Sequence, residues 1–231
     1  MCGRYVSPET AAIEAAWRIG RAHGNPFARR FNVAPTTQVP ILRFDAPTRG
    51  LELTQARWGF VPGWWKQAKP PSHCFNARGE EAAAKPMWRD AYRRSRCLIP
   101  ALGWYEWRAA ERADPASGEI KAYKQPYFIF RADRRPVCFA GLLAGREADG
   151  ASSLSCAIVT RDASASVSEV HDRMPVIVQE ASFGKWLDPG LIDAGEVQAL
   201  IDEAQSQFSH YPVSTRLNSA RTDDAGLAEP L

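Results

Sequence analysis

From residue 39 onward the chain is a succession of short apolar runs, each stopped by proline, glycine or charge, with few helix-length segments between them. VPILRF, LELTQARWGF, RCLIP, GWYEWR, QPYFIFRA, VCFAGLL, SLSCAIVTR and RMPVIV are runs of this kind. Successive side chains of an extended strand point to opposite faces, so β-branched and aromatic runs of this length predict strands. Strands that follow one another without crossover helices pair mostly antiparallel. The pattern therefore predicts an α+β chain: a single domain on a strongly curved, mainly antiparallel, barrel-like β-sheet with flanking short helices. No run leads into a glycine-rich GxGxxG or Walker-type loop, which disfavours nucleotide-binding folds, and no internal repeat stands out.

Pro8-Glu9 followed by TAAIEAAW predicts a helix, capped by Ser7 and ending near Gly20. The connection after it is punctuated by Gly24, Pro26 and Pro35. KPMWRDAYRRS, SFGKWLDP and GEVQALIDEAQ predict further short helical pieces, and turns fall at DAPTRG and DRR. PGWWKQAKPPSHCFNARGE is a long irregular segment of the sort that often carries function. AAERADPASGEIKAYK reads as a polar insertion in a loose hairpin loop, and YPVSTRLN as a segment that closes the sheet. The expected domain spans 2–219, with 220–231 a frayed C-terminal tail.

A chain of 231 residues is long enough for a sizeable core. Its five cysteines, Cys2, Cys74, Cys97, Cys138 and Cys156, are odd in number and widely spaced, with no CxxC. Neither a disulfide framework nor a zinc site is expected, and no metal or cofactor. Cys138 and Cys156, in apolar strands, read as buried thiols. MCGRYVSPET lacks the apolar run of a secretory signal, and no apolar stretch is long enough to span a bilayer, so a cytoplasmic protein with no membrane partner is expected. A net charge of +3 only weakly favours an anionic partner. Arginine far outnumbers lysine; its planar fork suits phosphate, although a GC-rich genome would enrich it equally.

Four segments hold the residues with chemistry to offer. Removal of Met1 would leave Cys2 with a free α-amine beside its thiol. Such a pair condenses with an aldehyde to a Schiff base and closes to a thiazolidine, which an internal cysteine cannot do. Gly3 allows close approach of a ligand, and Arg4 suits an anion. In FNARGE, Asn76 and Arg78 share a face if extended, an amide and a guanidinium suited to a sugar oxygen and its phosphate. In GWYEWR, Trp104 and Glu106 share one face and Tyr105 and Trp107 the other; a carboxylate beside large rings is desolvated into a usable general acid or base. In HDRMP, His171 exchanges protons near neutrality and shares a face with Arg173, whereas Asp172 points away and is poorly placed to orient it. Each has a plain reading too: a small residue after a start codon, a polar loop, an arginine-paired carboxylate, a structural histidine. Eight tryptophans are many for this length. Several, Trp64 and Trp65 among them, fall in loop or edge segments, where rings can stack on unpaired bases or simply fill the core.

In series, MCGRY, FNVAP (31–35), WGFVPGW (58–64), FNARGE, CLIPALGWYEW, KQPYFI, AGLL and HDRMPVIV resemble the SOS-response-associated peptidase family, from Cys2 to roughly Ser219. The resemblance implies a shield for abasic sites in single-stranded DNA. It implies an autopeptidase that removes Met1, and a mature Cys2 that attacks the ring-opened sugar aldehyde. It implies that Asn76 positions the sugar, that Glu106 is the acid/base group, and that His171 is the second proton-transfer group. Arg4, Arg78 and Arg173 are implied as phosphate or active-site anchors, Trp64 and Trp65 as lining the DNA path, and Pro40, Met87 and Trp107 as groups near the kinked DNA. The partner implied is single-stranded DNA bearing an abasic site, with the protein nucleoid-associated when bound; for the oligomeric state, a monomer needs the fewest assumptions. Ala144-Gly145 after AGLL and the form PVSTRLN depart from the family's usual pattern, at the floor and rim of the site. A cysteine peptidase acting in trans through Cys2 and His171, and a non-covalent single-strand-binding module, are the competing readings.

Overall fold

The computed structural model describes residues 2–17, 19, 27–45, 50–113, 118–148, 151–203 and 207–231. In chain order the elements are β1 (Arg4–Ser7), α1 (Thr10–Trp17), β2 (Arg30–Val33), β3 (Gln38–Asp45), β4 (Gly50–Trp58), β5 (Asn76–Arg78), α2 (Gly79–Ala82), α3 (Arg89–Arg94) and β6 (Arg96–Ala101). They continue with β7 (Gly103–Ala113), β8 (Ile120–Arg131), β9 (Val137–Ala148), β10 (Ala151–Asp162), β11 (Arg173–Pro175), α4 (Phe183–Leu187), α5 (Ala194–Asp202) and β12 (Phe208–Pro212).

Five strands close into a barrel: β10 pairs β4, then β3, β6 and β9 follow, and β9 returns to β10. Only the β10–β4 contact in this ring is parallel. Outside the ring, β5 adds to β10 in parallel and β11 adds antiparallel. The second sheet, in the order β12-β8-β7-β1-β2, is antiparallel throughout. The expected α+β architecture, mainly antiparallel and barrel-like with short helices, is the one the chain forms.

The two-residue period of the strands decides where the core lies. Cys97, Ile99, Phe139, Cys156 and Ile158 point from the barrel toward the second sheet, where they meet Tyr5, Trp104, Ile129 and Phe208. Their neighbours Leu98, Cys138, Ala140, Ala157 and Val159 point the other way, against Ile13 of α1, Tyr92 of α3, Trp186 of α4 and Ile201 of α5. The outer face of the second sheet carries Val6, Tyr105, Phe128 and Phe130. Both faces of the central strands are covered, so their sequences read as nearly continuous apolar runs.

Several expectations are corrected. The Ser7 side chain does not cap α1: Ser7 is a strand residue whose hydroxyl donates to Pro8 O, and it is Thr10 that holds the helix start, exchanging hydrogen bonds with Phe27. The helix is assigned to Trp17, and Gly20, Gly24 and Pro26 lie outside the described residues, as does the centre of the DAPTRG turn. The polar insertion is not a loose loop over most of its length. β7 and β8 stay paired out to Ala113 and Ile120, leaving only 114–117 outside the described residues. The strand predicted from RMPVIV is shorter, three residues of β11 and then an isolated bridge at Ile177. The final strand is Phe208–Pro212, and Thr215–Asn218 is a 3-10 turn.

The tail is docked, not frayed. Asp223 accepts the backbone N–H groups of Phe31 and Asn32 at 2.6 and 3.0 Å, which satisfies part of the open edge of β2. Tyr211 Oη donates to Ala228 O, and Leu227 is fully buried against the outer face of the second sheet.

Candidate active site

β1 lies between β2 and β7, with Arg4 opposite Tyr105 and Tyr5 opposite Trp104. Tyr5 is fixed by edge contacts with Trp58 and Phe139, ring centroids 5.4 and 5.7 Å apart. From that anchor the chain runs back through Gly3 to Cys2, which is fully buried in the cluster between barrel and second sheet.

Asn76 arrives from the other side. Trp58 Nε1 donates to Phe75 O at 2.8 Å, and Ile158 N donates to the same oxygen at 3.0 Å, so the residue before Asn76 is pinned to the barrel. The parallel pairing of Asn76 with Ile158 then directs its amide inward. Asn76 Nδ2 donates to Cys2 O at 2.7 Å, and its buried Oδ1 has no hydrogen-bond partner among the described residues. Ala77 turns into the core behind the barrel. Asn76 and Arg78 therefore share the opposite face, as their spacing predicts.

Glu106 sits on β7 opposite Tyr127, on the same face as Trp104. Gly103 lets this strand in: a Cβ there would fall 2.5 Å from Ile129 O, so only glycine fits the approach of β8. Glu106 is 2% exposed. Burial pushes its carboxyl up to about 7, because a charge without water is costly. Burial likewise raises the Cys2 thiol well above its usual range, and the negative charge of Glu106 pushes the same way.

His171 is presented by the connection from β10 to β11. A turn at 164–171 is closed by N–H bonds from Val167, Ser168, Val170 and His171, while Val167 and Val170 are buried beneath it. His171 Nε2 lies 3.7 Å from Glu106 Oε2. On the other edge of the ring, Arg173 N donates to Nδ1 at 2.9 Å, and Asp172 Oδ1 lies 2.8 Å from the same nitrogen. Asp172 thus does reach His171, against the sequence expectation. One nitrogen serves one role at a time: as an acceptor it takes the Arg173 N–H, and protonated it faces Asp172. Burial lowers the His171 pKa, with the N-terminal charge and then Lys124 and Arg173 pushing the same way and Asp172 opposing. The neutral ring is therefore favoured, with Nδ1 accepting and its proton on Nε2, toward Glu106. A carboxyl titrating near neutrality beside a neutral imidazole can hold and pass a proton next to a buried thiol.

The expected DNA contacts divide. Trp107 lines a cleft of about 390 Å³ together with Glu106, Lys124, His171 and Asn218. Its Nε1 donates to Asn218 Oδ1 at 2.8 Å, which fixes the indole as a wall. Trp64, half exposed, and Met87 line a separate surface cleft, and the Trp64 ring lies 5.9 Å from that of Trp65. Arg78 is exposed, 3.7 Å from Glu81. Three residues are engaged within the protein. Pro40 is buried in β3 opposite Gln55, with no exposed face for a nucleotide. Arg4 donates to Asn32 Oδ1 and Leu217 O and turns toward the outer cluster. Arg173, 8% exposed, is held by Asp162, both oxygens of Glu80 and the carbonyl of Thr160. Its two terminal nitrogens are engaged by these groups, locking the strand that carries the His171 hydrogen bond, whereas its buried Nε has no partner among the described residues. Lys124 and Asn218 are the cleft residues to which the sequence analysis assigns no role, although KQPYFI and PVSTRLN contain them.

Among the described residues, no three His, Cys, Asp or Glu side chains gather as a metal site, and no helix is long and apolar enough to cross a membrane. A family model described as SOS response associated peptidase (SRAP) matches residues 1–220. The chain is 32% identical to abasic site processing protein YedK of Escherichia coli strain K12, with 100% of each covered. It is 31% identical to abasic site processing protein YoqW of Bacillus subtilis strain 168, over 86% of this chain and 85% of that one. A crystal structure of a protein from Bacteroides thetaiotaomicron shares the fold, with a TM-score of 0.79 over 100% of both chains at 23% identity.

Proposed function

Because the chain belongs to the SOS response associated peptidase family, we propose that it shields abasic sites in single-stranded DNA by a covalent thiazolidine crosslink through Cys2. The observation that carries this reading is the hydrogen bond from Asn76 to the carbonyl of the buried Cys2, with His171 3.7 Å from Glu106, a carboxylate whose charge raises the Cys2 thiol pKa. Relatives named as abasic site processing proteins support the substrate.

The chemistry begins with hydrolysis of the Met1–Cys2 peptide bond, the autopeptidase step, which frees the Cys2 amine. That amine attacks the aldehyde carbon of the ring-opened abasic sugar. Loss of one water gives a Schiff base. The thiol then adds to the same carbon and its proton passes to the nitrogen, closing the five-membered ring. Glu106, partly protonated near neutrality, supplies the proton to the oxygen that departs and to the sugar ring oxygen as it opens. His171 exchanges protons with Glu106 through Nε2. Asn76 fixes Cys2 through Nδ2 and offers its free Oδ1 to a sugar hydroxyl. With the aldehyde consumed, strand cleavage by β-elimination is blocked. Arg78 contacts phosphate, Trp64 and Trp65 stack on flanking bases, and Trp107 and Met87 border the bent strand, whose missing base lowers the stacking lost on bending.

The test is a denaturing gel of the mature protein with a single-stranded oligonucleotide bearing one abasic site, beside an intact strand and the Cys2→Ala protein. The expected result is a heat- and SDS-resistant band that needs both the abasic site and Cys2. A band formed by C2A would sink the mechanism. No band with Met1 confirmed absent would favour a peptidase acting in trans or a non-covalent binding module.

A further inference from the structure

The cleft over Glu106 and His171 poses an electrostatic problem. Its floor holds a carboxyl group, and the exposed Asp172 carboxylate lies 2.8 Å from His171, yet its proposed occupant is a polyanion. Arg4 and Arg173, the two arginines nearest in sequence to Cys2 and His171, are turned to partners inside the protein. Of the five residues that line the cleft, Glu106, Trp107, Lys124, His171 and Asn218, only Lys124 carries a fixed positive charge.

The position of Lys124 suits an anchor. It stands exposed on β8 opposite Ala109. The residue that follows it is locked: Gln125 is buried, and its Nε2 donates to Pro126 O and Val213 O, each at 2.8 Å. Pro126 in turn pairs with Trp107, the wall of the same cleft. A rigid stem thus carries a flexible ammonium with three donors to the mouth of the site. Its charge already acts on the His171 ring.

We propose that Lys124 is the phosphate-binding residue of the active-site cleft, gripping the phosphodiester next to the abasic sugar. The proposal rests on the abasic-site reading above and adds to Arg78, which that reading gives to phosphate, a cation in the cleft of Glu106 and His171. Phosphate seated there lies between the Lys124 ammonium and the Trp107 plate, with the sugar carbon directed down toward Cys2. A phosphate at this point would also offset the charge that Lys124 exerts on His171, so binding and proton transfer are linked through one residue.

The experiment compares wild type, Lys124→Ala and Lys124→Arg, all with Met1 removed. Each is given two aldehydes: a single-stranded oligonucleotide with one abasic site, and free 2-deoxyribose, which has no phosphate. Crosslinking is followed on denaturing gels against DNA concentration and salt, and the sugar adduct by mass. We expect K124A to need a several-fold higher DNA concentration for half-maximal rate and to lose reactivity toward DNA several-fold more than toward deoxyribose. Its log–log salt dependence should be shallower by about 0.7, the value of one phosphate contact on a single strand. K124R should recover most of the loss. Equal losses on both aldehydes, or a salt slope like that of wild type, would overturn the assignment of Lys124 while leaving the crosslink reading intact. A wild type that forms no crosslink would remove the parent reading, and this one with it.

Discussion

Glu106 is a carboxyl group placed where water cannot solvate its charge, and that single fact has a thermodynamic consequence. Its folded pKa of about 7 stands above the value of 4.5 expected in the unfolded chain. Between those values the folded state binds the extra proton, so stability falls as pH rises across the window. The contribution is fully present below about 4.5 and lost as pH passes through about 7. Relative to Glu106→Gln, which cannot titrate, wild type should lose on the order of 3 kcal/mol between pH 4.5 and pH 8. Urea unfolding of both proteins across that range checks this, and parallel stability curves would show that the carboxyl is not held protonated. His171 contributes with the opposite sign, since burial lowers its pKa, but it is common to both proteins and largely cancels in the difference. On the proposed function the same two shifts serve the chemistry, because they bring a carboxylic acid and a neutral imidazole into use at one pH.

At the scale of elements, the C-terminal segment shows where sequence reasoning succeeds and where it stops. RTDDAGLAEPL is polar and small, and nothing local says that Asp223 will meet the backbone of β2 or that Leu227 will enter a core. The partners lie almost two hundred residues upstream, a distance that no local pattern encodes. By contrast, the alternation of Leu98 with Cys97 and Ile99 is local and declares two buried faces directly. The extended FNAR segment and the shared face of Trp104 and Glu106 were legible for the same reason. Pro40 and Arg173 were not: their burial depends on strands and carboxylates supplied from elsewhere in the chain. Docking of the tail should be energetically real. Leu227→Ala removes a fully buried side chain and should cost about 3 kcal/mol. In a chain of this size that is a fall of roughly 9 °C in Tm. Differential scanning calorimetry would reveal it; an unchanged Tm would mean that 220–231 is dispensable to the fold.

At the scale of the whole molecule, charge and aromatic surface divide the work of binding. A net charge of +3 is too small to draw a polyanion by its overall field. On the proposed function, affinity must therefore come from placement: the exposed Arg78 and Lys124 for phosphates, and Trp64 and Trp65 for bases, with Trp107 as a wall of the cleft. These two parts respond differently to salt. Phosphate contacts release condensed counterions and weaken as salt rises, whereas stacking of bases on rings is nearly indifferent to it. With Arg4 and Arg173 turned inward, a surface that engages two or three phosphates should give a log–log slope of roughly −2 for a single strand. Fluorescence anisotropy of the Cys2→Ala protein with an abasic oligonucleotide, titrated over graded sodium chloride, measures that slope without interference from crosslinking. A slope near zero would assign binding to the aromatic surface alone. A slope several times steeper would require cations that are ion-paired here to release their carboxylates on binding, with Arg173 leaving Glu80 and Asp162 the first to examine.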